Sequence, residues 1–103
     1  MNLIRNILTP DNILIDAEST SKKRVFERVG RLFEDNQQIS HKKVFDSLFS
    51  REKLGSTGLG HGVAIPHGRI NDLREATAVF IKTKHPIPFD SPDSLPVNLI
   101  FIL

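Results

Sequence analysis

The sequence predicts an α/β fold, a three-layer arrangement of a mixed β-sheet flanked by helices, and two observations carry that prediction. Apolar residues recur at helical spacing in two stretches, and short β-branched runs lie before and after them. At 103 residues the chain has the size of one domain, so residues 1–103 are read as a single unit.

Taken in order, Thr9-Pro10-Asp11-Asn12 reads as a turn and Ile13-Leu14-Ile15-Asp16 as a first strand. Ser19, Thr20 and Ser21 offer N-cap hydroxyls to a helix whose core face is Val25, Phe26, Val29, Leu32 and Phe33, and Asp35-Asn36 is its polar stop. The Lys22-Lys23-Arg24 cluster is expected to be a solvated first turn. Ser40 is placed to cap a second helix with Val44, Phe45, Leu48 and Phe49 on its buried stripe, and Gly55 stands where a C-terminal glycine closes a helix.

Four glycines then fall within the eight residues Gly55 to Gly62, a stretch suited to backbone geometry more than to packing. Val63-Ala64-Ile65 leads from it to Pro66-His67-Gly68-Arg69. Ala76 to Thr83 is a strand candidate, Pro86, Pro88 and Pro92 punctuate the connection after it, and Val97 to Leu103 is apolar enough to be a strand buried on both faces. An apolar strand that runs to Leu103 without cap or turn predicts that the C-terminal part of the domain is missing from this chain.

Composition narrows the classes. An apolar content of 39%, including seven Phe, suits a globular protein. The run from Asn98 to Leu103 is far below the roughly 20 residues of a membrane helix, and Met1 to Arg5 lacks a signal peptide's order, so a cytoplasmic protein with no membrane insertion is expected. Fourteen basic against twelve acidic residues leave +2 and no dense basic stripe, which argues against nucleic acid. The absence of cysteine excludes disulfides, thiolate metal sites and cysteine nucleophiles.

Any chemistry should lie where the glycine-rich loop meets His67. Glycines let backbone N–H groups approach an anion, and a histidine supplies a nucleophilic nitrogen. Arg51 and Arg69 have the guanidinium geometry that binds phosphate oxygens, and Ser56 and Thr57 add hydroxyls. On these residues alone an ordinary loop with a surface histidine is the commoner reading. No Gly-Lys-Ser/Thr ends the loop, and the spacing of Gly58, Gly60 and Val63 misses the dinucleotide fingerprint. A zinc site needs three or four ligands, whereas beyond His61 and His67 the remaining histidines, His41 and His85, lie in unrelated segments and are expected to be solvent-exposed without a role. No metal and no cofactor is therefore expected.

The unbroken string from Arg51 through Gly55-Ser56-Thr57-Gly58-Leu59-Gly60-His61-Gly62 to Pro66-His67-Gly68-Arg69 resembles the active-site signature of type 2 enzyme IIA domains. These are the fructose, mannitol and nitrogen-regulatory branch of the phosphoenolpyruvate-dependent phosphotransferase system. Thr20-Ser21-Lys22-Lys23 and Pro86-Ile87-Pro88-Phe89-Asp90 resemble the nitrogen-regulatory members in particular. The resemblance implies that His67 is phosphorylated, that Arg51 stabilises the phosphate, and that Ser56, Thr57, Gly58, Gly60, His61, Gly62, Gly68 and Arg69 form the phosphate pocket.

It also implies an HPr-like phosphocarrier as donor, regulatory targets such as potassium transport components or sensor kinases, and neither nucleotide nor metal at this step. His61 stands where those relatives often carry Asn, and is read as a tolerated loop substitution. The family continues past the last strand into helices, one bearing a second pocket histidine, and this chain has no such segment. Two rival expectations are a sugar-specific IIA serving a fructose or mannitol IIB domain, and a binding module that carries no phosphate.

Overall fold

The structure, a computed structural model, describes residues 10–69 and 77–102. Thr9 of the expected turn, Ala76 of the expected strand, Leu103 and the Met1 to Arg5 start lie outside the described residues. After a 3-10 turn at Pro10–Asn12 come β1 (Ile13–Ala17), α1 (Lys22–Gln37), α2 (His41–Leu54), β2 (Gly58–Gly60), β3 (Val63–Ala64), β4 (Val79–Ile87) and β5 (Val97–Ile102). The strands form one sheet in the order β1-β4-β5-β3-β2. β1 runs parallel to β4 and β3 parallel to β5, while β4–β5 and β2–β3 are antiparallel, so the sheet is mixed as expected.

Helix α1 begins where a hydroxyl cap is available. Ser21 Oγ accepts from the backbone N–H of Arg24 at 3.2 Å, one of the orphan donors of the first turn. Val25, Phe26, Val29 and Phe33 bury the core face, and the helix passes the expected stop to end at Gln37, where Gln38 turns left-handed with φ 56°. In α2 the hydroxyl of Ser40 makes no capping bond. Glu34 of α1 accepts from the His41 N–H at 2.8 Å instead, and the same carboxylate pairs with His41 Nδ1. His41, expected to be exposed and idle, thus joins the two helices.

Gly55 closes α2 as expected, with an extended backbone (φ 162°, ψ 148°) and its N–H donating to the Glu52 carbonyl. Lys22 departs from expectation. Its ammonium lies 3.5 Å from Glu52 and 4.7 Å from the Phe89 ring centroid, because the first turn of α1 packs over the end of α2.

The two helices share a core with one face of the sheet, on which Val79, Ile81, Ile100 and Ile102 are buried. Phe26 meets Phe49 and Phe89 edge to face at 6.5 and 6.3 Å, joining α1, α2 and the loop after β4. β5 is not buried on both faces: Leu99 and Phe101 are half-buried beside Phe80. On the same face Ile13 is 39% and Ile15 58% exposed.

Candidate functional site

The site is assembled at the end of α2, where the chain turns through Gly55 into β2 and returns from β3 to Pro66-His67. β2 and β3 were not legible as strands, since three of the five residues from Gly58 to Gly62 are glycine and such runs pack poorly. They form a tight hairpin closed by His61-Gly62, with φ 56° and 78°, after Gly60 at φ 97°. Positive φ at both central positions is the demand of a type I′ turn, which Asn-Gly satisfies best. This explains why Asn suits position 61. The His61 N–H is held at 2.9 Å by Asp93, whose carboxyl is kept below its usual pKa by the backbone N–H groups of His61 and Leu95.

Arg51 and His67, sixteen residues apart, are brought together. Arg51 Nε donates to His67 Nε2 at 3.2 Å, and Arg51 Nη1 donates to the Gly55 carbonyl at 2.9 Å. The other ring nitrogen, Nδ1, lies 3.3 Å from the Ile65 carbonyl. An acceptor there places the imidazole proton on Nδ1 and leaves the Nε2 lone pair toward Arg51.

His67 is exposed beside an open cavity of about 600 Å³ lined by Asp46, Ser47, Ser50, Arg51, His67, Gly68 and Arg69. Ser47 Oγ donates to the Arg69 carbonyl at 3.0 Å, and Gly68 lies so close to Ser47 that a β-carbon would collide with its hydroxyl. This contact presses the His67 segment onto α2.

Of the residues expected around a phosphate, Gly68 and Arg69 line the same cavity as Arg51 and His67. Ser56, Thr57, Gly58, Gly60, His61 and Gly62 do not line that cavity. The Ser56 hydroxyl donates to the Phe89 carbonyl, and the Thr57 hydroxyl donates into the Glu52 carboxylate at 2.8 Å, so both are engaged inside the fold. Gly58 is buried where a side chain would strike Ser91.

Glu52 is the residue that sequence reasoning passed over. It is 8% exposed and occupies the third position of the buried series Val44, Leu48, Glu52. An acid at i+8 on an apolar stripe is the signal that would have found it. A second depression, about 610 Å³ between β1 and α1, contains three arginines and three acids and none of the residues around His67. Among the described residues no group of three His, Asp or Glu side chains comes together as a metal site, and no helix is long and apolar enough to cross a membrane.

Comparison with known proteins shows the family to which this site belongs. Residues 6–103 match the family described as phosphoenolpyruvate-dependent sugar phosphotransferase system, EIIA 2. The nitrogen regulatory protein of Pseudomonas aeruginosa is 38% identical over 101 residues, covering 97% of this chain and 66% of that protein. That of Klebsiella oxytoca is 39% identical over 101 residues, covering 97% of this chain and 62% of its own length. The chain thus spans a little under two thirds of these relatives.

Among solved structures, nitrogen regulatory protein IIA-Ntr from Neisseria meningitidis superposes with a TM-score of 0.92 at 55% identity, covering 98% of this chain and 69% of that one. IIA mannitol from Escherichia coli, at 21% identity and a TM-score of 0.77 over 91% of this chain and 68% of that one, shares the fold. The chain belongs to the EIIA type 2 family of phosphotransferase-system components and is similar to its nitrogen regulatory members.

Proposed function

We propose that this protein is a phosphorelay regulator that accepts a phosphoryl group on His67 Nε2 from an HPr-like phosphocarrier. The observation that carries the reading is the pairing of Nε2 with the Arg51 Nε–H while Nδ1 faces the Ile65 carbonyl. In the transfer, the Nε2 lone pair forms the new N–P bond as the bond from phosphorus to the carrier's nitrogen breaks. That electron pair returns to the carrier, and the His67 proton stays on Nδ1. Arg51 moves its Nε–H from the ring nitrogen to an equatorial phosphate oxygen, where negative charge is concentrated in the transition state. Arg69, on the same cavity, offers a second guanidinium.

Phosphorylation adds roughly two negative charges to an exposed surface, which favours or excludes docking partners. The relatives named nitrogen regulatory proteins support a regulatory output over delivery of phosphate to a sugar transporter. Acting in the cytoplasm, it would then regulate target proteins such as potassium transport components or sensor kinases.

The test is incubation of the full-length protein with phosphoenolpyruvate, enzyme I and the carrier, read by intact mass beside a His67→Ala variant. Gain of one phosphoryl group, lost in the variant, is expected. No gain would favour a partner-binding module, and a gain retained by the variant would move the acceptor elsewhere. Discharge of the phosphoprotein by a fructose or mannitol IIB domain would favour the sugar branch.

A further inference from the structure

We infer that Glu52 is a positioning residue for His67, and that it acts through Thr57. The inference rests on the reading of His67 as phosphoryl acceptor and extends it to what holds the ring in its reactive tautomer.

Both Glu52 oxygens lie 3.0 Å from the Thr57 backbone nitrogen, and they are 2.8 and 2.9 Å from its hydroxyl. The carboxylate is buried, with its side chain 4% exposed, and Lys22 Nζ stands 3.5 Å away as counter-charge. A buried acid that accepts from a neighbouring segment is a rigid link, since releasing it would strand the charge.

The link closes a ring of contacts. From Glu52 it passes to Thr57, whose carbonyl accepts from the Ile65 N–H at 3.0 Å. The Ile65 carbonyl faces His67 Nδ1 at 3.3 Å, and His67 Nε2 accepts from Arg51 at 3.2 Å. Arg51 precedes Glu52 on α2, and its other arm is held by Gly55, two residues before Thr57. The distance from the end of α2 to Thr57 therefore sets both sides of the imidazole at once. Without the Glu52 link, Thr57 and the Ile65 carbonyl are free to drift, and the preference for a proton on Nδ1 weakens.

Glu52→Gln tests this at nearly constant volume. The amide keeps one acceptor oxygen but sets an N–H₂ where a carboxylate oxygen now lies 3.0 Å from the Thr57 backbone nitrogen, donor against donor. It also removes the charge that pairs with Lys22, so the present Glu52–Thr57 geometry cannot be kept. We expect single-turnover phosphorylation of the full-length variant to slow at least tenfold while its affinity for the carrier stays within twofold. The ¹⁵N shifts of the His67 ring in the unphosphorylated protein should move from a single Nδ1–H form toward a tautomer mixture. A merely structural role would leave those shifts unchanged in the folded variant.

Thr57→Val and Thr57→Ser repeat the test without touching the acid. Val should slow transfer and Ser should restore it, and this pair decides the matter where circular dichroism shows that Glu52→Gln has not folded. Wild-type rate and unchanged ring shifts in Glu52→Gln, or equal rates for Thr57→Val and Thr57→Ser, would overturn the inference. Failure of the wild-type protein to take phosphate would remove the His67 reading instead, and the ring shifts would still judge the positioning role.

Discussion

At Arg51 one guanidinium contacts both the Gly55 carbonyl and His67 Nε2 through different nitrogens. A lysine has one ammonium and cannot fill both positions. Arg51→Lys should therefore slow phosphorylation by about 10²-fold, the usual loss for one transition-state donor, with carrier affinity unchanged in a binding titration. His61 presents the opposite case, a residue whose identity works against its backbone. Its φ of 56° lies in the left-handed region, which L residues enter at roughly 1–2 kcal/mol and asparagine more readily. His61→Asn should recover part of that and raise the urea midpoint, since the contact with Asp93 uses the backbone N–H.

Between elements, the α1–α2 corner depends on contacts that propensity does not describe. A β-carbon on Gly30 would stand 2.7 Å from the His41 carbonyl oxygen. Gly30→Ala should destabilise the protein by about 1–3 kcal/mol by overpacking, against alanine's better helix propensity. Denaturant titration measures that balance. Glu34 caps α2 through the His41 N–H, and this bond, with the His41 side chain, holds its carboxyl below the ordinary pKa. A carboxyl depressed on folding contributes stability that is complete above its unfolded value of about 4.3 and is lost as pH falls through the lower folded value. Stability measured from pH 6 to pH 3 should fall less steeply in Glu34→Gln than in wild type. Asp93, depressed by the His61 and Leu95 N–H groups, contributes in the same direction at the hairpin.

Across the whole molecule, Phe26 and Phe89 are the fully buried rings that bind the helix layer to the loop beside the site. Phe89 also lies under Lys22, and its carbonyl accepts from Ser56. Phe26→Ala should cost about 3–5 kcal/mol, the range for deleting a buried aromatic ring, a large share of the usual 5–15 kcal/mol total. Thermal and urea unfolding should both register it. The helices leave the other sheet face half open among the described residues, with Ile15 at 58% exposure.

The helix faces, the first and last strands and the pairing of His67 with Arg51 were legible in the sequence, because periodicity is local and the signature string is contiguous. The β2–β3 hairpin was hidden, since its glycines are chosen for φ and carry no strand propensity. Ser40 and Gly55 were read as caps from residue type. Gly55 does follow the last helical residue, with an extended backbone, whereas Glu34 took over the capping bond expected of Ser40, because a cap belongs to whichever group packing brings within reach.

By itself the sequence determined the α/β class and the family and singled out His67 as the candidate acceptor, all of which are written in local order and residue type. Only the tertiary structure decided which tautomer His67 holds and what Thr57 does. It also decided that a buried Glu52 stands behind them. Those depend on distances between segments that are separate along the chain, and folding alone sets such distances.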